Sequence, residues 1–212
     1  VSSKGRKGHQ VEDDEFYPTP RDAIVSLMET DLISLPGGVW IEPCAGSGRI
    51  VSTVNECRQD QGLEHIDWIM CELNPDFDPY LRRLVRGKRD TLMPYGDFVH
   101  RDWPYPMADV LIMNPPFSLT FQFVMAALER ARIVLCVQRQ GWFGTQERSP
   151  WLTRHCPDSF QLPWRPSFRP DGKTDSCEYC WFHWPEGSVR GRRQGRLAML
   201  DFPRKGQQSL FG

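Results

Sequence analysis

Asn114-Pro115-Pro116-Phe117 directly follows the apolar run Asp109-Val110-Leu111-Ile112-Met113, and this combination suits the alkylation of an exocyclic amine. The N6 amine of adenine is a poor nucleophile, because its lone pair is delocalised into the ring. A side-chain amide oxygen and a backbone carbonyl that both accept from that NH2 group localise the lone pair on nitrogen. They also stabilise the positive charge that grows there in the transition state. Proline has no N–H, so two in succession stiffen the loop and keep donors away from the amine. Phe117 then offers a flat face on which a base can stack. Asn-Pro alone is ordinary turn chemistry, and the weight of the tetrad comes from the segments that surround it.

Val39-Trp40-Ile41-Glu42 reads as a short buried strand, Pro43-Cys44-Ala45-Gly46-Ser47-Gly48 as a tight loop, and Arg49 to Val54 as the opening of a helix. Strand, glycine turn and helix make the first half of a nucleotide-binding unit. Gly46 and Gly48 permit close approach of backbone to a ligand. The loop lacks the Lys-Ser/Thr pair of a phosphate-binding P-loop and the full three-glycine dinucleotide fingerprint. An acid at the strand end, Glu42, disfavours a pyrophosphate and suits an amine-bearing or cationic ligand; S-adenosylmethionine carries both an amino group and a sulfonium. Ile66 to Leu73 is a second, mostly apolar run closed by Glu72, whose carboxylate can take both hydroxyls of a ribose.

Three motifs in this order resemble the S-adenosylmethionine-dependent N6-adenine DNA methyltransferases, most closely the small phage and prophage types. Phe16-Tyr17-Pro18-Thr19-Pro20 resembles the family's N-terminal cofactor motif, Glu42 to Gly48 its glycine loop, and Asn114 to Phe117 its catalytic motif. The likeness runs from about residue 15 to about residue 185. It implies an α/β, Rossmann-like class I methyltransferase fold: a mostly parallel seven-stranded sheet with an antiparallel terminal hairpin. It implies S-adenosylmethionine as cofactor, S-adenosylhomocysteine as product, DNA as partner, and, for a phage-encoded chain, the cytoplasm of a bacterial host. The cofactor would be held by Tyr17, Thr19, Pro20, Glu42, Pro43, Cys44, Ala45, Gly46, Gly48, Glu72, Leu73 and Asn114. The family also places an Asp followed by an aromatic at the end of the third strand. Asp97-Phe98 and Asp102-Trp103 both match; Asp102 with Trp103 is favoured, because Pro94 and Gly96 resist a strand before Asp97. Similar tetrads occur in RNA adenine methyltransferases, and a variant in protein glutamine methyltransferases, so these activities stand as alternatives beside a catalytically silent DNA-binding relative.

The 212 residues suit one domain with a sizeable core. No run of eighteen apolar residues is present, and the polar, basic N-terminus carries no visible signal peptide. Seven cysteines without disulfide-like spacing fit a reducing compartment. Cys177-x-x-Cys180 with His183 invites a zinc reading, but strand alternation over 179–184 sends the two cysteines to opposite faces, and no metal is expected. The net charge of −1 hides an asymmetry: residues 1–127 hold 12 Lys/Arg against 19 Asp/Glu, net −7, and residues 128–212 hold 14 against 8, net +6. A basic second half beside the tetrad suits a nucleic-acid substrate.

Residues 1–14 read as a disordered arm and 15–185 as the methyltransferase domain. Thr19 is expected to cap a helix that begins at Pro20, and Asn74 another that carries Phe77, Tyr80, Leu81, Leu84 and Val85. Residues 86–97 read as loop and 98–101 as a weak third strand. Val110–Met113 and Ile133–Val137 are the fourth and fifth strands, with a helix over 119–131 between them. Phe160–Phe168 and Tyr179–Trp184 form the hairpin. A target adenine must leave the duplex to react; Phe117 covers one face, and Phe168 is the candidate for the other, ahead of Trp142, Phe143 and Trp181. Residues 139–177 hold the candidate recognition segments, with Gln138, Gln140, Gln146 and Arg154 as further readers and Arg139, Arg148, Arg169 and Lys173 as the DNA-binding cations. Residues 186–212 read as a flexible basic tail. Its Gln207-Gln208-Ser209-Leu210-Phe211 resembles the peptide that docks bacterial replication and repair proteins on the sliding clamp. A monomer is favoured.

Overall fold

A computed structural model describes residues 17–86, 89–94, 97–99, 102–146, 148–168, 174, 176–188 and 194–203. The apolar runs become strands in chain order: β1 (Val39–Glu42), β2 (Asp67–Glu72), β3 (Thr91–Pro94), β4 (Ala108–Met113), β5 (Ala131–Arg139), β6 (Asp158–Gln161), β7 (Tyr179–Trp184) and β8 (Leu197–Met199). They form one sheet in the order β3-β2-β1-β4-β5-β7-β6-β8. Only β7 runs against its neighbours; the other seven are co-directional. The chain leaves β1 towards β2 and β3, then crosses back to β4 on the other side of β1. That reversal opens a crevice at the carboxyl ends of β1 and β4, where ligands bind in sheets of this kind.

Strand periodicity divides the core in two. Trp40, Trp68, Met70, Val110, Ile112, Leu135, Val137 and Trp181 face helices α1 (Arg21–Met28) and α2 (Arg49–Asp60). Ile41, Ile69, Cys71, Leu111, Met113, Val134, Cys136, Phe182 and Trp184 face the other way, towards α4 (Thr120–Leu128) and Trp142. Burial on both faces explains why these strands read as continuous apolar runs. Two short α-helices, α3 (Asp78–Arg82) and α5 (Ser149–Arg154), and three 3-10 turns, Pro75–Phe77, Phe117–Leu119 and Gln140–Phe143, complete the described elements. Among the described residues, no helix is long and apolar enough to cross a membrane.

Several expectations need correction. The sheet has eight strands, not seven. Within the expected tail, Leu197–Met199 pairs parallel with β6, and the Arg196 guanidinium reaches the fully buried Asp158 at 3.2 Å. Phe202 stacks on Trp164 with centroids 4.6 Å apart. The third strand is Thr91–Pro94, not 98–101. Pro94 ends a strand at the sheet margin, where its missing N–H breaks no ladder. Strand β6 stops at Gln161, so Phe168 lies beyond it. Pro20, not Thr19, is the N-cap of α1, and its carbonyl accepts from the Ala23 N–H at 3.1 Å. Asn74 caps as expected: its Oδ1 accepts from the Asp76 N–H at 2.9 Å and opens a 3-10 turn that leads into α3.

Candidate active site

The glycine loop joins β1 to α2 by a backbone route that only glycine tolerates. Gly48, the N-cap of α2, has φ +77°, and a Cβ placed there would lie 2.2 Å from Leu84 Cδ1. The loop is fixed from below: Ala45 N–H donates to the Cys71 carbonyl at 2.9 Å, and Gly46 N–H to Glu72 Oε2 at 2.6 Å. Glu72 Oε1 accepts from Asn74 N–H at 2.8 Å. The acid at the end of β2 therefore ties both loops together.

These loops and the segment after β4 enclose a cavity of about 620 Å³, a size suited to a nucleoside-bearing ligand. Tyr17, Thr19, Glu42, Pro43, Cys44, Ala45, Gly46, Glu72, Leu73 and all four residues of the Asn114–Phe117 tetrad line it, so the structure gathers segments nearly a hundred residues apart. Pro20 and Gly48 shape the wall without lining it. Asp102 is exposed and does not line the cavity, and Trp103 packs edge-on behind Phe98 at 5.5 Å. Asp97, Phe98 and Val99 line it instead. Of the two matching pairs it is thus Asp97-Phe98, not the favoured Asp102-Trp103, that the structure brings to the cavity, because β3 ends three residues before Asp97.

Glu42 is 2 % exposed, and its Oε2 has no hydrogen-bond partner. Burial lifts its pKa well above the ordinary value; the Val51 N–H opposes this, and the Glu72 carboxylate adds to it. An unsatisfied carboxylate in a cavity wall fits an ammonium or another cationic ligand. Burial, with Glu42 and Glu72 close by, likewise holds the Cys44 thiol well above the cysteine range. It is a protonated thiol receiving the Asn114 backbone N–H, not a nucleophile.

Asn114 Nδ2 donates to the Tyr17 carbonyl at 2.8 Å. A carbonyl can only accept, so this bond fixes which end of the amide faces Tyr17. Oδ1 is left without a partner among the described residues, and so is the Pro115 carbonyl. The Pro116 carbonyl is engaged by Leu119 N–H at 3.0 Å and Thr120 Oγ1 at 3.2 Å. Phe117 lies near-parallel to Tyr17, with centroids 6.0 Å apart. The Arg139 guanidinium sits 4.7 Å over the Phe117 ring and donates from Nε to Tyr179 Oη at 3.2 Å.

Phe168 is 6 % exposed and packs on Tyr179 at 4.4 Å, which in turn meets Phe117 at 6.4 Å. It supports the aromatic cluster from behind; the parallel neighbour of Phe117 is Tyr17. Trp142 and Trp181 are core residues, and Phe143 packs on Phe182 at 4.6 Å. Gln138 is turned inward: Nε2 donates to Thr120 Oγ1 at 2.6 Å, and Oε1 accepts from Arg139 N–H at 2.8 Å. Arg148 lies 5.2 Å over Trp142 and opens α5 as its N-cap. Arg169, Lys173 and Gln207–Phe211 lie outside the described residues. Arg49, which sequence reasoning missed, lines the cavity at the α2 N-terminus and has no ion-pair partner among the described residues. Gln122, also missed, lines it from α4. Its periodicity marks α4 as a packing helix and gives no sign of a ligand. Among the described residues, the one grouping close enough to hold a metal ion is His65, Asp67 and Asp90. None of these lines the cavity, and both Asp90 oxygens already accept from the Trp68 and Arg86 N–H groups.

No protein-family model and no curated protein sequence matches the chain. Solved structures do. A protein of Listeria monocytogenes assigned to the class I S-adenosylmethionine-dependent methyltransferases superposes with a TM-score of 0.65 at 14% identity, over 96% of this chain and 71% of that one. The methyltransferase subunit of a type I restriction-modification system from Streptococcus thermophilus gives 0.60 at 16% identity, over 81% of this chain and 45% of the subunit. The chain thus spans less than half the length of that subunit. A 23S rRNA methyltransferase gives 0.56 at 13% identity, over 85% and 70%. The fold is therefore the Rossmann-like fold of the class I methyltransferases, with one additional strand at the hairpin margin.

Proposed function

We propose that this protein is a DNA methyltransferase that transfers a methyl group from S-adenosylmethionine to the N6 amine of a flipped adenine. The observation that carries the reading is the Asn114 amide, oriented by the Tyr17 carbonyl so that Oδ1 remains a free acceptor at the cavity wall. The residues present fit the donor. Glu42 offers a buried, unsatisfied carboxylate for the ammonium, and Arg49 at the α2 N-terminus offers a cation for the carboxylate. All of Glu72, Leu73, Asp97, Phe98, Val99 and Gln122 line the same cavity; the first two would face the ribose and the others the adenine of the donor.

Bound S-adenosylmethionine supplies an electrophilic methyl group; the chain's own residues do the rest. Asn114 Oδ1 and the Pro115 carbonyl would accept hydrogen bonds from the two N6–H groups, which localises the amine lone pair and offsets the charge formed on nitrogen as the N–C bond forms and S-adenosylhomocysteine leaves; the methylated amine then loses one proton to solvent. The two prolines hold that pair of acceptors in place, so most of the rate comes from orientation. Phe117 stacks on the base, and Arg139, Arg148, Arg169 and Lys173 serve the DNA. Gln207–Phe211 would add a docking peptide for a sliding clamp. The free cysteines suit a reducing bacterial cytoplasm.

The likeness to an rRNA methyltransferase favours RNA adenine as the second reading. Incubation with methyl-labelled cofactor and DNA, RNA or protein extract, followed by identification of the methylated residue, separates the two. N6-methyladenine in DNA is the expected product; label confined to RNA or to glutamine overturns the assignment.

A further inference from the structure

Beside the cavity, along the same rim of the sheet, lies a second concavity of about 450 Å³ between β6, β7 and β8. Its walls are Trp164, Leu197 and Met199, with the amides of Gln140 and Gln161 and the guanidinium of Arg165 as its polar groups. Its residues are chain neighbours of those that pack on the tetrad. Gln140 follows Arg139, the residue over Phe117, and its N–H donates to the carbonyl of Glu178, whose neighbour Tyr179 packs on Phe117. Three details mark it as built for a flat, edge-polar ligand. Trp164 is backed on one side by Phe202 at 4.6 Å and 21°, which fixes the plane of its ring. Leu197 and Met199 are 73 % and 59 % exposed, apolar surface that the described residues leave uncovered. Gln161 is 8 % exposed; its Nε2 donates to the Tyr179 carbonyl at 3.1 Å, while its Oε1 is buried without a partner.

A nucleobase has the matching chemistry: two apolar faces that stack on an aromatic ring, and an edge of N–H donors and acceptors that an amide reads. We infer that this groove binds the DNA base flanking the target adenine on the same strand, and that Gln140 and Gln161 read its edge. The inference rests on the proposed adenine methylation. Arg165 is held by Glu178 at 2.7 Å, which keeps its guanidinium at the groove wall.

The test uses a pool of DNA duplexes with one adenine and random flanks, methylated by the full-length protein and sequenced for methylated molecules. Wild-type protein should prefer one base at a flanking position. Gln161→Met, close in volume but without the amide, should flatten that preference about tenfold and leave other positions unchanged. Gln140 is exposed, so Gln140→Ala perturbs folding little and should act at the same position. An unchanged profile in both variants, or a wild-type profile without flanking preference, overturns the groove while adenine methylation stands. No methylation of DNA by wild-type protein overturns both.

Discussion

The side-chain amide of Asn114 and the main-chain carbonyl of Tyr17 are joined at 2.8 Å across ninety-seven residues of chain. One bond thereby ties the N-terminal segment to the loop after β4 and sets the direction of the amide oxygen. Removing that amide should affect chemistry far more than ligand capture. Asn114→Ala is expected to lower the single-turnover methylation rate by about 100-fold or more, with S-adenosylhomocysteine affinity within a few-fold by calorimetry. Equal losses in both would contradict the role assigned to Asn114.

Glu42 predicts a pH dependence. Its folded pKa is raised above the ordinary 4.5, so the folded, ligand-free protein binds a proton more tightly than the unfolded chain. Stability from this group is full below about 4.5 and declines as pH rises through the raised folded value. A cationic ligand reverses the preference, because it needs the carboxylate ionised. Cofactor affinity should rise with pH across the same window, with proton release. Glu42→Gln should melt higher than wild type at neutral pH in the absence of ligand, bind the cofactor more weakly, and lose this pH dependence. Titration calorimetry in buffers of different ionisation enthalpy measures the released proton directly.

Gly48→Ala should destabilise the fold. The left-handed backbone costs about 1–2 kcal/mol for a residue with a Cβ, equivalent to a melting-temperature drop of about 2–8 °C for a domain of this size. The clash with Leu84 Cδ1 adds to it. Leu84→Ala in the same chain should recover part of the added loss but none of the backbone cost; full recovery by thermal melting would show that backbone conformation is irrelevant here.

Asp97 and Asp102 should separate cleanly. Asp97 lines the cavity, and its Oδ1 also accepts from the Val99 N–H at 3.0 Å. Asp97→Asn should weaken cofactor binding about tenfold, whereas Asp102→Asn, at an exposed position, should leave it unchanged. A larger effect from Asp102 would return the adenine-binding role to it.

Cys44 tests the absence of covalent catalysis. With its thiol held protonated, Cys44→Ala should retain methylation within a few-fold, and a thiol-alkylating reagent should modify Cys44 slowly at neutral pH. Rapid, activity-destroying modification of this one cysteine would require a different mechanism.

The local motifs were legible because their chemistry is local. A strand, a two-glycine turn and a helix N-terminus within Val39–Val54 can build one loop and little else, and the Asn114–Phe117 tetrad carries its acceptors and its stiffness in four consecutive residues. The alternation of apolar runs with helical patterns was enough for the parallel sheet and its crevice. What stayed hidden depends on distant partners. Proline argued against a strand at Thr91–Pro94 until the fold put that strand at the margin, where no neighbour needs its N–H. Leu197–Met199 is too short and its surroundings too basic to announce a strand; β6 and the buried Asp158 make it one. Phe168 looked free to meet a base, but Tyr179 holds it in the core. Covalent neighbours encode loop shape and chemical type, while sheet position, burial and the direction of a side chain are set only when segments far apart in the chain pack together.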